Sequence, residues 1–107
     1  FPGHGGTTKD SHFDLPYVKT SMEHLRKNEL IPFVKASKSR TEFMMMAHLV
    51  VDAIDPDNPL TLSKKAYKFL RNELKFKKII SSDDMDMKAI SDSWPDGKAA
   101  TNAFIAG

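Results

Sequence analysis

Cysteine is absent from the 107 residues, so neither a disulfide framework nor a thiolate metal site is available, and a reducing compartment is permitted. An excess of one charge is missing too. Sixteen Lys and Arg against fourteen Asp and Glu leave a formal charge of +2 with no dense basic stripe, which argues against a nucleic-acid partner. No apolar run nears the roughly 20 residues that cross a bilayer, and the first residues lack the basic and apolar regions of a signal peptide. What remains, 40% apolar and 28% charged, is ordinary for a globular chain, long enough for one modest domain or part of one. The opening Phe1-Pro2-Gly3-His4-Gly5-Gly6 is the kind of glycine-rich stretch that follows a strand, and so points to a part of the protein before Phe1.

Residues 1–20 show no apolar periodicity and read as one long loop; loops of that length in compact domains usually carry function. Thr20 and Glu23 form a capping-box pattern, and Met22, Leu25, Leu30, Phe33 and Ala36 then recur at helical spacing, which predicts a helix over 21–38 adjusted around Pro32. The apolar run Phe43–Val51 predicts a strand buried on both faces, closed by the turn formers Asp55-Pro56-Asp57-Asn58-Pro59. Ser63 can cap a helix whose Ala66, Phe69, Leu70 and Leu74 share one face, with Lys64, Lys65, Lys68, Arg71 and Lys75 on a solvated one. Lys78–Ser82 predicts a short strand running into Asp83, and Gly97–Gly107 another short helix. Strand alternating with helix argues for an α/β fold with a parallel sheet, where chemistry gathers at the carboxyl ends of strands. His48 and Asp83 both fall at such ends.

Asp83, delivered to the rim of the sheet by an apolar strand, suits a nucleophile and equally an N-cap of the following helix, a role for which Asp84 is the better candidate. Asp10-Ser11-His12 sets a carboxylate two residues from an imidazole, where it can fix the tautomer and raise the basicity; such pairs shuttle protons near neutral pH, and are also common loop formers. His4 is a ligand contact or an exposed loop residue, His48 a site residue or a hydrogen-bonded core histidine. Because His4, Asp10, His12, His48 and Asp83 are all ligand types, a metal-dependent hydrolase is one alternative. A phosphotransferase using Asp84-Met85-Asp86 is a weaker one, since no glycine-rich phosphate loop accompanies it, and a non-catalytic remnant is a third.

Taken together, Phe1-Pro2-Gly3-His4-Gly5, Thr8, Asp10-Ser11-His12 and Leu15-Pro16 resemble the signature of bacterial glycoside hydrolase family 3 β-N-acetylglucosaminidases. Met46-Ala47-His48, Asp55-Pro56, Thr61-Leu62-Ser63, Leu70-Arg71-Asn72-Glu73-Leu74 and Ser82-Asp83-Asp84-Met85-Asp86-Met87 look like successive later blocks of the same family. The resemblance implies that 1–107 is part of a (β/α)8 barrel of the TIM type, incomplete and drawn from its C-terminal-half strands and helices. Residues 1–20 would then be the catalytic loop and 21–107 the helix–strand units. It further implies Asp83 as nucleophile, His12 as general acid/base, Asp10 as the partner of that histidine, and possible sugar contacts at His4 and His48, with no metal and no organic cofactor. The implied substrate is a muropeptide or oligosaccharide ending in β-linked N-acetylglucosamine, the setting bacterial peptidoglycan recycling in the cytoplasm. The family's Lys-His pair and sugar-binding arginine match nothing here, so the remainder of the barrel is expected to be missing.

Overall fold

The computed structural model describes residues 1–107, whose four short strands form two two-stranded parallel sheets. Strand β1 (Tyr17–Val18) is followed by helices α1 (Met22–Lys27) and α2 (Leu30–Ser37), then by β2 (Phe43–Met46) and β3 (Val50–Val51). A 3-10 turn at Leu60–Leu62 leads into α3 (Lys64–Asn72), β4 (Ile79–Ser82), α4 (Lys88–Ser91) and α5 (Lys98–Ala106). β2 pairs with β4 in parallel, Phe43 opposite Ile79 through Met46 opposite Ser82. On the other edge of β2, the Phe1 nitrogen donates to the Met45 carbonyl at 2.5 Å, and the Ala47 N–H donates to the Phe1 carbonyl at 3.1 Å. That staggered pair is the pattern of a parallel ladder. Phe1, β2 and β4 therefore lie side by side, and each gives way in the same direction to one of the segments holding the candidate residues.

The expected helix over 21–38 is two helices. Asn28 leaves helical geometry (φ −127°, ψ −85°) and its side-chain amide donates to the His24 carbonyl at 2.9 Å, which ends α1. Pro32 falls in the first turn of α2, where its missing N–H has no helical acceptor to serve. The cap of α1 is Ser21, whose hydroxyl accepts from His24 N–H at 3.1 Å; Thr20, expected in that role, instead donates its N–H to Asp52. The run 43–51 is likewise two strands, separated at Ala47–Leu49 where the ladder passes to Phe1 and β3 turns to pair with β1. β1 lies inside the segment read as loop, because its two residues acquire strand geometry only from that pairing.

Burial on β2 alternates rather than covering both faces: Met44 and Met46 enter the core, whereas Phe43 and Met45 are 62% and 52% exposed. The core beneath is formed by Leu25, Leu30, Leu49, Leu60, Leu70 and Phe76, and Phe1 meets Phe33 edge to face at 5.0 Å. α3 packs as its spacing predicts, with Tyr67 added to the buried side and Phe69 only partly covered. Its cap, Ser63, has two tasks: its oxygen accepts from Ala66 N–H at 3.1 Å and its hydroxyl donates to the buried Asp55 carboxylate at 2.6 Å. Ser63→Ala strips both, a helix cap and a hydrogen bond to a charged group, so in thermal unfolding of the full-length protein it should cost about 2 kcal/mol, with Ser63→Thr retaining most of that.

Candidate active site

Three chain segments meet at the carboxyl ends of the parallel strands. The first is the loop after Phe1. Its turns are closed by Thr7 N–H to the His4 carbonyl at 3.1 Å, and by Phe13 and Asp14 N–H groups to the Asp10 carbonyl at 3.1 and 3.2 Å. An ion pair between Lys9 and Asp14 spans the same bend. The loop folds back close to β1: a Cβ on Gly6 would lie 2.9 Å from Val18 Cγ1, so this position has no room for a larger residue unless Val18 moves. Ser11 points inward, buried, with its hydroxyl 3.1 Å from His4 Nε2. His4 is thereby tied across the loop rather than projecting freely.

Asp10 organises its neighbour twice. One carboxylate oxygen accepts the His12 backbone N–H at 3.0 Å and lies 2.7 Å from His12 Nδ1. An ionised carboxylate only accepts, so Nδ1 carries a proton and Nε2 is the nitrogen left to exchange one. These contacts hold the Asp10 carboxyl below its usual range, first through the backbone N–H and then through the imidazole. They raise His12 above the ordinary histidine value, chiefly through the Asp10 hydrogen bond and then its charge, with smaller attraction from Asp83 and Asp84. Both side chains are mostly exposed, so the coupling acts on protonation far more than on stability.

Asp83 begins where β4 ends. Its N–H donates to the Met46 carbonyl at 3.1 Å, extending the ladder one step past the strands, and its Oδ1 accepts the Asp84 N–H at 2.9 Å. The alternative of a helix cap is not what forms: α4 starts after Met87 with no side-chain cap, and Asp84 instead closes a tight turn by accepting Asp86 N–H at 3.0 Å. Asp83 is half-buried and faces a cavity of about 340 Å³ that it shares with His4, Asp10, Ser11 and His12. No apolar side chain lines that cavity, a lining suited to a hydroxyl-rich ligand.

His48 is a correction to the expected sugar contact. It has no exposed surface, and both ring nitrogens are taken by the protein: Nδ1 lies 2.8 Å from the Thr61 hydroxyl and Nε2 2.7 Å from the Asp84 carbonyl. A residue so enclosed reaches no ligand without breaking one buried and one part-buried hydrogen bond. His48 does not line the cavity that holds His4, Asp10, His12 and Asp83, and no three His, Asp or Glu side chains are grouped as metal ligands. The buried hydrogen-bonding roles of Thr61, Ser11 and Tyr67 escaped the sequence reading, since nothing in their local pattern marks a buried polar partner.

The whole chain, residues 1–107, matches the family described as "Glycosyl hydrolase family 3 N terminal domain". It is 37% identical to a beta-hexosaminidase of Alkalilimnicola ehrlichii, an alignment covering all of this chain and 31% of that protein. Among solved structures it superposes on a glycoside hydrolase family 3 β-N-acetylglucosaminidase from a Paenibacillus species with a TM-score of 0.96 at 38% identity, covering 100% of this chain and 21% of the other. CbsA from Thermotoga neapolitana gives 0.91 at 44% identity, over 99% of this chain and 25% of that one. The chain thus spans less than a third of the length of each of these relatives.

Because the Asp10 hydrogen bond is the largest influence on His12, Asp10→Asn should bring the His12 pKa down toward the ordinary value near ~6.5. An NMR titration of the imidazole in the full-length protein reads this directly; a His12 pKa that stays raised would mean that Asp10 does not set it.

Proposed function

The chain belongs to glycosyl hydrolase family 3, and on that premise we propose that it carries the nucleophile and the acid/base pair of a retaining glycosidase releasing terminal β-linked N-acetylglucosamine. The observation that carries the reading is the common cavity: Asp83 and the Asp10–His12 pair come from segments some seventy residues apart and line the same polar hollow. The names of the relatives, beta-hexosaminidase and β-N-acetylglucosaminidase, agree in substrate class. The site works inside a complete eight-stranded barrel, typically about 250 residues, of which these are a part. Exposed Phe43, Met45 and Ile79 on alternate positions of β2 and β4 are the face that further strands would enclose.

The reaction runs in two displacements. In the first, the Asp83 carboxylate attacks the anomeric carbon while His12, protonated at Nε2, gives its proton to the departing glycosidic oxygen. The bond to the aglycone breaks as the ester to Asp83 forms. In the second, neutral His12 takes a proton from water, the water oxygen attacks the anomeric carbon, and Asp83 leaves as a carboxylate with His12 again protonated. Most glycosidases pair two carboxylates for this work. An imidazole can replace the acid because Asp10 keeps it protonated to higher pH than histidine alone, while leaving it basic enough to activate water. We further propose cell-wall muropeptides as substrates and peptidoglycan recycling in the bacterial cytoplasm as the setting, an assignment that requires cleavage of muropeptides in preference to chito-oligosaccharides.

The test uses the full-length protein and aryl N-acetyl-β-glucosaminides. His12→Ala should lower kcat by about 10²- to 10⁴-fold, the loss shrinking as the phenol becomes a better leaving group that needs no proton. Asp83→Ala should remove turnover altogether, and wild-type rates in that variant, or activity lost to EDTA and restored by metal, would sink the reading.

The pH profile supplies a separate check. The first displacement needs His12 protonated, so kcat/KM falls as pH rises through the His12 pKa, which Asp10 has raised. In Asp10→Asn this alkaline limb should move to lower pH together with the imidazole titration.

A further inference from the structure

Between the core and the nucleophile runs a chain of hydrogen bonds, buried at the Tyr67 end and reaching the surface at Asp83, that the proposed chemistry does not use. Tyr67, on the buried side of α3, donates its hydroxyl to the Thr61 carbonyl at 3.1 Å. The Thr61 hydroxyl lies 2.8 Å from His48 Nδ1, His48 Nε2 lies 2.7 Å from the Asp84 carbonyl, and the Asp84 N–H reaches Asp83 Oδ1 at 2.9 Å. Thr61 and His48 have no exposed surface at all.

The proton positions along this chain follow from what each group can do. The Asp84 carbonyl only accepts, so His48 Nε2 must carry a hydrogen. In the neutral ring Nδ1 is then an acceptor, and the Thr61 hydroxyl is its donor. Burial favours that neutral ring, and lowers the His48 pKa accordingly. His48 thus holds one tautomer, fixed from behind by Thr61 and engaged in front with the main chain of the residue that follows Asp83.

We propose that His48 is a positioning residue which, by holding the Asp84 carbonyl, keeps the Asp84 N–H aimed at the Asp83 carboxylate and so sets the orientation of the attacking oxygen. Asp84 is the link: its carbonyl, held by the imidazole, and its N–H, which holds the carboxylate, lie in adjacent peptide planes hinged at its α-carbon, so freeing the carbonyl lets the residue turn about φ and ψ and loosens the N–H against Asp83 Oδ1. The ladder bond from Asp83 N–H to Met46 fixes where the residue starts, not which way its side chain turns. This role rests on Asp83 being the nucleophile, and it adds a residue behind the site that touches no substrate.

The experiment compares His48→Gln, which keeps an amide donor for the Asp84 carbonyl, with His48→Leu, which fills similar space and keeps none, in the full-length protein. Thr61→Val and Thr61→Ser form a second pair, removing and retaining the donor to Nδ1. His48→Leu should lower kcat on the order of 10²-fold at nearly constant KM, the size expected of a misplaced reacting group. His48→Gln should recover much of that loss, and Thr61→Val should fall between wild type and His48→Leu, with Thr61→Ser near wild type. Nitrogen NMR of the wild-type imidazole should show Nε2 protonated and Nδ1 bare, and the Asp84 amide proton should shift in His48→Leu but not in His48→Gln. A protonated Nδ1, an unmoved Asp84 amide, or a His48→Leu variant that only melts earlier while keeping kcat would overturn the proposal. The NMR readouts need no turnover, so a wild-type protein without glycosidase activity would count against the assigned reaction and leave the positioning chain to be judged on the amide.

Discussion

The parallel ladder between β2 and β4 does not stop at the strands: its next rung is the bond from Asp83 N–H to the Met46 carbonyl. That rung fixes the height of Asp83 above the sheet. The same β2 chain, one residue on, gives its Ala47 N–H to Phe1, which fixes where the loop bearing Asp10 and His12 departs. A single central strand thus sets both sides of the cavity, and its core-facing Met44 and Met46 hold it against the helices. Disturbing the register of β2 by one residue would invert its buried and exposed positions and displace the two halves of the site together.

How much of this was legible depends on how local each determinant is. Ser63 reads as a helix cap because the hydroxyl and the N–H it accepts are three residues apart, and Asp10 with His12 reads as a pair because two residues of turn bring them together. Asp83 reads as a rim residue because the apolar run before it fixes a strand end. The strand and helix order follows from the same periodicities, and the resemblance of the motifs supplied the barrel to which they belong. The break at Asn28 was also open to reading, since asparagine is a frequent helix terminator, but the apolar spacing continuing through Leu30 and Phe33 masks it.

What stayed hidden is non-local. His48 sits in an apolar run, where a histidine offers two readings; the choice is made by Thr61 and Asp84, thirteen and thirty-six residues away. β1 has two residues and no alternation to detect, so only Val50 and Val51 make it a strand. The expected burial of 43–51 on both faces is met from Met46 to Val51 and fails at Phe43 and Met45 for a related reason: a continuous apolar run says that both faces want cover, not that the 107 residues provide it. Phe43, Met45 and Ile79 remain open on the side of the sheet away from the helices.

The two halves of the site are held in opposite ways, and the difference suits the tasks proposed for them. Asp83 is connected to the core through its own ladder bond and through Asp84, His48 and Thr61, so its position is determined by residues far away in sequence. The Asp10–His12 pair is held by bonds within its own loop, and the side chains stand mostly in solvent. A nucleophile attacks along one line and gains from being fixed. An acid that must later act as a base serves a glycosidic oxygen and then a water, so it gains from moving, provided its proton-holding partner moves with it. Because Asp10 reaches His12 over only two residues, a shift of the loop carries carboxylate and imidazole as a unit, and the tautomer with Nε2 free survives the displacement.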